Sequence, residues 1–149
     1  MHRYISQGPY DFKRLRAVTR GSASEFLDLR VEVIGPDFLI ATMPVNERTR
    51  QPLGLLHGGM SIVMAEELGS TASMMLVAHQ SDTRVVGVDV GGSHLRSVRD
   101  GRVTGVCRAL RIGRSMHFWT IDISDEDGRL CCSARLTVRV IRGDGTSGG

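Results

Sequence analysis

The sequence predicts an α+β fold in which an antiparallel sheet wraps around one long helix. Two observations lead to this prediction. One helical pattern, at residues 60–78, is long and mostly apolar, and strand-like segments separated by turn residues precede and follow it. One helix cannot cover both faces of a sheet of about five or six strands, so the sheet should curve around it and a second subunit should cover what stays exposed. The 149 residues suit one domain, 1–149.

The N-terminal part predicts a short helical segment at about residues 10–28, followed by two strands. Ser22 and Glu25 have the spacing of a capping box, in which the hydroxyl and the carboxylate each bond to a free amide at the helix end. The two extended runs lie at 29–34 and 38–43, and the Gly-Pro-Asp sequence between them predicts a tight turn.

The long helix is predicted to begin at Gly58 and Gly59, after a loop at 46–56, and to end near Ala78. A pattern that is apolar on most faces is typical of a helix largely surrounded by protein. Small side chains recur along it, so another element should pack closely against it. The strands predicted after the helix lie at residues 84–90, 101–112, 116–124 and 129–140. The glycine-rich tail at 142–149 is predicted to be frayed.

Composition and charge exclude several classes of protein. Hydrophobic residues make up 41% and charged residues 23%, which excludes wholesale disorder. The longest apolar stretch carries two glutamates, so we expect no membrane span, and the absence of a signal-like N-terminal run predicts a cytoplasmic protein. A net charge of +3 and an aromatic content of 5% argue against a nucleic-acid partner. The three cysteines have no metal-ligand spacing, so no metal is expected.

The densest group of reactive residues lies around the start of the long helix. Gly58 and Gly59 let a ligand approach the main chain, and the free amides of the helix N-terminus would stabilise an anion, including a developing oxyanion. Gln51 and His57 add one neutral and one titratable hydrogen-bonding side chain. An ordinary capping histidine at a helix N-terminus is the alternative interpretation.

Two adjacent carboxylates, Glu66 and Glu67, lie in a helix whose pattern is otherwise that of a buried element. Buried carboxylates are rare unless they are paired or functional. Because eight residues of helix rise about 12 Å, Glu66 cannot easily act with the Gly58 amide of its own chain. If both act on one bond, they come from two subunits across a symmetric interface.

The segment 48–70, with Gln51, a His57-Gly-Gly sequence and Glu66, resembles the signature of hotdog-fold acyl-CoA thioesterases. The resemblance lies in the Arthrobacter-type 4-hydroxybenzoyl-CoA thioesterase branch, closest to bacterial 1,4-dihydroxy-2-naphthoyl-CoA thioesterases and the proofreading paralogues of enterobactin synthesis. It covers about residues 27–141. It implies a hotdog fold, hydrolysis of acyl-CoA to acid and free CoA, and a homodimer or homotetramer with active sites at the dimer interface.

The resemblance implies a role for each residue near the helix. Glu66 would be the catalytic carboxylate, either as nucleophile or as general base on water. The Gly58 amide would polarise the thioester carbonyl, while His57 and Gln51 would orient the carbonyl or the sulfur. Ser70, one turn beyond Glu66, would hold that carboxylate or its water. A small residue that permits close packing is the alternative for Ser70.

The resemblance also implies two segments that contact the nucleotide end of CoA. Guanidinium groups and the exposed amides of Gly-Ser turns suit phosphates. The implied residues are His94, Arg96, Ser97, Arg111, Gly113, Arg114 and Ser115. For each arginine, a solvated surface position is the alternative. No cofactor is implied, because coenzyme A is part of the substrate.

Three points stay open at the level of sequence. An aromatic acyl group is implied by the resemblance, with Phe38, Leu53, Met64, Met74 and Met75 as lining or as plain core. Glu67 either raises the pKa of its neighbouring carboxylate by like-charge repulsion or points elsewhere and pairs with an arginine. The alternatives to an acyl-CoA hydrolase are an enzyme acting on an acyl carrier protein, whose acidity would suit a basic chain, and a non-catalytic acyl-CoA sensor.

Overall fold

The computed structural model describes residue 5 and residues 9–143, which form three helices and six strands. The helices are α1 (Phe12–Val18), α2 (Ala23–Phe26) and α3 (Gly58–Val77). The strands are β1 (Arg30–Ile34), β2 (Phe38–Pro44), β3 (Thr83–His94), β4 (Arg102–Ile112), β5 (Met116–Ser124) and β6 (Leu130–Arg142). No helix in this part of the chain is both long and apolar enough to cross a bilayer.

Within the described residues, the strands form one antiparallel sheet in the order β1-β2-β4-β5-β6-β3. Helix α3 packs against β2, β3, β4, β5 and β6, so the sheet curves around it from one side to the other. Alternate residues of β5 are buried, among them Trp119, Ile121 and Ile123, because successive side chains of a strand point to opposite faces. The predicted α+β arrangement, an antiparallel sheet around a central helix, is confirmed.

The close packing predicted for α3 is found where its small residues face the sheet. A Cβ added to Gly69 would lie 2.5 Å from Cδ2 of Leu136 and 3.2 Å from Cδ1 of Trp119, so only glycine fits there. One turn further along, the buried Nε1 of Trp119 donates a hydrogen bond to Oγ of Ser73 at 2.9 Å. These contacts fix the height and the rotation of α3 over the sheet.

The capping box predicted at Ser22 is wrong in its hydrogen bonds. Ser22 does precede α2, but its Oγ donates to the carbonyl of Thr19 at 2.6 Å instead of accepting from an amide of α2. Glu25 accepts from the amide of Gly21 at 2.6 Å, one residue before the expected donor. The reason is that α1 ends immediately before this turn, and its last carbonyls need donors that the serine supplies.

The strands β3 and β6 each extend at least two residues beyond their predicted ends. β3 continues through Gly91 and Gly92 to His94, because pairing with β6 supplies backbone hydrogen bonds that outweigh the poor strand propensity of glycine. β6 includes Arg142, which pairs with Thr83, and the amide of Gly143 donates to the carbonyl of Asp82 at 2.7 Å, so neither residue belongs to a frayed tail. The rest of the predicted tail, from residue 144 on, lies outside the described residues.

His117 on β5 is a buried imidazole without hydrogen-bond partners. It is 0% exposed, and neither ring nitrogen has a partner in the described part of the structure. Burial lowers the pKa of His117 below its ordinary value of 6.5, and the nearby backbone of Gly113 only partly opposes this. Below about pH 6.5, His117 is protonated more readily in the unfolded chain than in the folded one. The free energy of unfolding therefore falls as pH drops below this value.

We therefore expect His117→Leu to make the free energy of unfolding less dependent on pH between about 7.5 and 5.5. The substitution removes the titrating group and leaves no unpaired nitrogen in the core. Urea unfolding at both pH values measures the difference, with His117→Phe as a second variant that keeps a ring beside Trp119. A pH dependence equal to that of the unsubstituted protein in both variants would contradict this account.

Candidate active site

The loop between β2 and α3 is anchored by Thr49, which is completely buried. Its Oγ1 donates to the carbonyl of Pro44 at 2.8 Å and accepts from the amide of Asn46 at 2.9 Å. Its own carbonyl accepts from the amide of His57 at 2.8 Å, which fixes the residue before α3. Sequence reasoning missed Thr49, because a lone threonine in a loop gives no signal of the contacts it makes.

His57 is the N-cap of α3. Its Nδ1 accepts from the amide of Gly59 at 2.8 Å, so a proton on the neutral ring lies on Nε2, at the far side. The capping role considered for this histidine is therefore present. It uses the Gly59 amide and leaves the amide of Gly58 without an acceptor among the described residues. The Gly58 N–H at a helix N-terminus is thus available to polarise a carbonyl oxygen.

A cleft of about 410 Å³ opens beside this N-terminus, within the range of small-molecule sites. Five of the residues predicted for the site line it: Gln51, Gly58, His94, Arg96 and Ser97. The same cleft is lined by Leu55, Leu56, Ser61, Leu95, Val98 and Cys131. The structure therefore joins the predicted oxyanion donor to the first predicted CoA segment within one chain.

Two side chains shape the floor of the cleft. The Nε2 atom of His94 lies 2.8 Å from the position that a Cβ on Gly58 would take, so a side chain on residue 58 would require this exposed imidazole to move. The side-chain oxygen of Gln51 accepts from the amide of Leu53, which folds the glutamine back onto its own loop. Both side chains line the same cleft as Gly58.

Glu66 is half-buried on the side of α3 that faces β3. All three heavy atoms of its carboxylate lie within 3.0 Å of the position that a Cβ on Gly87 would take, with Oε1 nearest. Ser70 donates to Oε1 through its Oγ at 3.3 Å, so the structure brings Ser70 and Glu66 together as the helical spacing suggests. Glu66 lies outside the set of described residues that line the cleft, about 12 Å along the helix from Gly58.

Glu67 points away from Glu66 into a different pocket, between α1, β1 and α3. Its Oε1 accepts from Oγ1 of Thr71 at 3.5 Å. Arg16 and Arg30 line the same pocket, but no salt bridge to Glu67 is present in the described residues. The arginine pairing predicted for Glu67 is therefore absent there. A hydroxyl one turn along the helix takes that place.

The second predicted CoA segment lies at the far end of the sheet. Arg111 is near the end of β4, and Gly113, Arg114 and Ser115 form the turn into β5. In β6, the partner of His94 is Cys132, whereas the partner of Met116 is Arg139. Seven residues of strand separate these positions by about 23 Å, so one chain does not bring the two segments together.

The cysteines do not offer a nucleophile in the described structure. Burial raises the pKa of the Cys107 thiol to about 12 and also raises the pKa values of Cys131 and Cys132. Thiols held protonated in this way are poor nucleophiles at neutral pH. The described residues also contain no group of three or more His, Cys, Asp or Glu side chains arranged to hold a metal ion. The carboxylate of Glu66 is the better-placed reactive group.

Comparison with known proteins gives one family and several close relatives. A profile described as the thioesterase superfamily matches residues 53–132. The chain is 50% identical over 127 residues to the 1,4-dihydroxy-2-naphthoyl-CoA hydrolase of Escherichia coli (strain K12), covering 85% of this chain and 92% of that protein. It is 45% identical over 127 residues to the proofreading thioesterase EntH of Cronobacter turicensis, covering 85% and 91%.

Two solved structures are similar over nearly the whole chain. A mutant thioesterase from Pseudomonas aeruginosa has a TM-score of 0.88 and 43% identity, and the match covers 94% of this chain and 99% of that one. A thioesterase from Haemophilus influenzae has a TM-score of 0.88 and 36% identity, covering 98% and 100%. The family match includes α3 with Gly58 and Glu66, as well as the two segments predicted to contact CoA, 94–97 and 111–115.

Proposed function

Because this chain belongs to the thioesterase superfamily and is a thioester hydrolase with a hotdog fold, we propose that it hydrolyses an acyl-CoA to a free acid and CoA. The observation that supports this most directly is the composition of the cleft. It sets the free Gly58 amide beside His94, Arg96 and Ser97, whose hydrogen-bonding and cationic groups suit the phosphates of CoA. Family membership favours an enzyme over a non-catalytic sensor.

The complete site is shared by two subunits joined along β3. In the described chain β3 pairs with β6 alone, so its other edge carries unpaired backbone groups over a strand of 12 residues. Val86 and Val88 on this strand are 42% and 52% exposed. Two copies that pair their β3 edges about a two-fold axis continue the sheet and cover these side chains.

This pairing explains why one chain holds the site residues in three separate places. Antiparallel pairing about a two-fold axis places opposite ends of the two sheets next to each other. The turn at 113–115 of one subunit then approaches the His94 end of the other, so that both CoA segments reach one ligand. Glu66, which lies against β3, faces the partner subunit in the same way.

The geometry supports a mechanism with a polarised carbonyl and a carboxylate from the other subunit. The thioester oxygen accepts from the Gly58 amide, whose position at the helix N-terminus stabilises the negative charge that develops on this oxygen. Glu66 either attacks the carbonyl carbon, forming an anhydride that water hydrolyses, or removes a proton from the attacking water. In both routes the C–S bond breaks and CoA leaves as a thiolate.

The remaining polar residues orient these groups. A proton on Nε2 of His57 can be donated to the carbonyl oxygen or the sulfur, since Nδ1 is occupied by the Gly59 amide. The side-chain NH₂ of Gln51 extends this donor set from the loop. Ser70 holds Oε1 of Glu66 in place on the opposite side of the cleavage site. No step requires a metal ion or a further cofactor, and a cytoplasmic location stays a prediction.

The acyl group is proposed to be aromatic, in line with the name of the Escherichia coli relative. Three side chains considered for its pocket are placed elsewhere. Met64 and Met75 are 0% exposed in the core, and Phe38 lies beneath the guanidinium of Arg108. The exposed Leu53, in the loop that carries Gln51, and the half-buried Met74 on α3 are therefore the remaining candidates for contact with an acyl group.

We expect Glu66→Gln to lower kcat on aryl-CoA by at least about 100-fold with little change in KM, because the amide can neither attack the carbonyl nor accept a proton. Free-thiol release from benzoyl-type, naphthoyl-type and straight-chain acyl-CoAs measures the effect. Glu67→Gln is the matched control, since its side chain enters a different pocket, and it should keep kcat within about threefold of the unsubstituted protein. Similar losses in both variants would argue against a specific role of Glu66.

Subunit mixing tests whether the site is shared. Glu66→Gln and His57→Ala are each expected to be nearly inactive alone. In a shared site, a hybrid dimer has one intact site and one doubly defective site, so random mixing should restore about a quarter of the full activity. Mixed and refolded samples are compared with each variant refolded alone. If no activity returns although hybrid dimers form, the site lies within one chain.

An acyl group on a carrier protein is a second candidate substrate, favoured by the charge at the far end of the sheet. The strand register gathers five arginines there, none of which takes part in a salt bridge among the described residues: Arg84, Arg111, Arg114, Arg139 and Arg142. Such a surface would attract an acidic carrier.

Charge reversal distinguishes the two substrates. Arg139 belongs to neither CoA segment but pairs with Met116 beside the second one, so Arg139→Glu should lower kcat/KM for acyl-CoA by no more than about threefold. If a carrier protein docks at this end, the same variant should lower kcat/KM for the carrier-bound acyl group by about tenfold. If Arg139→Glu changes kcat/KM by the same factor for acyl-CoA and for the carrier-bound acyl group, docking at this surface is excluded.

A further inference from the structure

The carboxylate of Glu66 occupies the space where a side chain on Gly87 would stand. The three atoms nearest to a Cβ built on Gly87 are Oε1, Cδ and Oε2 of Glu66, with Cδ at 2.9 Å and Oε2 at 3.0 Å. Carbon and oxygen atoms in ordinary contact lie farther apart than this. Even a methyl group on residue 87 is therefore incompatible with the observed position of the carboxylate.

Backbone conformation does not explain why glycine stands at this position. The φ angle of Gly87 lies outside the left-handed range, and the residue pairs with Val138 in the regular register of β3 and β6. The irregularity in that register, a bulge, follows at Val88. Glycine inside a strand weakens the strand, since it adds backbone entropy and has no side chain to pack. What residue 87 provides in return is space.

We propose that Gly87 is a positioning residue for the carboxylate of Glu66, an inference that rests on the function proposed above. Two contacts hold the carboxylate, the Ser70 hydroxyl on its own helix and the bare Cα of Gly87 on the edge strand. A side chain at residue 87 would push the carboxylate away from the edge at which the partner subunit pairs. The absence of a side chain at Gly87 therefore determines the position of the Glu66 carboxylate at this interface.

The kinetic test compares two glycines of the same strand. Gly87→Ala should lower kcat by about 100-fold with KM within about threefold, because a displacement of about 1 Å at a reacting group has this effect. Gly91→Ala is the matched control, since a Cβ there comes no closer than 3.5 Å to any side chain, the guanidinium of Arg135. It should leave kcat unchanged. Size-exclusion chromatography verifies that both variants keep the oligomeric state of the unsubstituted protein.

A second measurement does not depend on turnover. Gly87→Ala should raise the midpoint of thermal unfolding by less when Glu66 is present than when Glu66→Ala has removed the carboxylate, because only in the first background must the carboxylate move. Gly91→Ala should show the same effect in both backgrounds. If Gly87→Ala alone fails to fold, the double variant with Glu66→Ala should fold, because the conflict between the two residues is gone.

The outcomes separate this inference from the proposed function. Normal kcat in Gly87→Ala, with kcat lost in Glu66→Gln, would overturn the positioning role alone. An equal shift of the midpoint of thermal unfolding in both backgrounds, or a double variant that also fails to fold, would overturn it as well. Full activity in Glu66→Gln would overturn the proposed catalytic role and the positioning role together.

Discussion

The close approach of α3 to the sheet is the constraint on which the rest of the structure depends. Gly69 leaves no space between the helix and the side chains of Leu136 and Trp119, and the Trp119 indole is bonded to Ser73 one turn further on. A helix held this closely can neither slide nor rotate. Every group that α3 carries, from its N-terminal amide to its carboxylates, is therefore placed with the precision of the core.

The rigidity of α3 also keeps apart the two groups to which the proposed mechanism assigns the reaction. Gly58 and Glu66 stand on one helix with a fixed rise between them, so neither can move to the other's side of a substrate. In the same way, the strands keep apart the two segments predicted to contact CoA. The proposed two-fold pairing at β3 would resolve both separations at once, because it would place different parts of two copies side by side. The dimensions of a single chain thus support the proposed symmetric interface.

Glycines serve this fold by leaving space, and each does so for a different neighbour. Gly58 admits the imidazole of His94 beside the helix N-terminus, and Gly87 admits the carboxylate of Glu66 against the edge strand. Neither residue has a φ angle that requires glycine. The loss of strand and helix propensity at these positions is offset by the approach of a polar group to the main chain. At both positions, the absence of a side chain allows a polar group to lie against the main chain.

The sequence by itself determined the features that depend on neighbouring residues. The helix beginning at Gly58, the antiparallel strands, and the pairing of Glu66 with Ser70 follow from periodicity and spacing within a few residues. Tertiary structure alone decided which carbonyl Ser22 bonds, where Glu67 points, and that Gly87 stands beside a carboxylate. These contacts join residues whose surroundings are set by other elements of the fold. Local propensity is encoded in adjacent residues, whereas the space around a side chain is known only when distant strands and helices have packed.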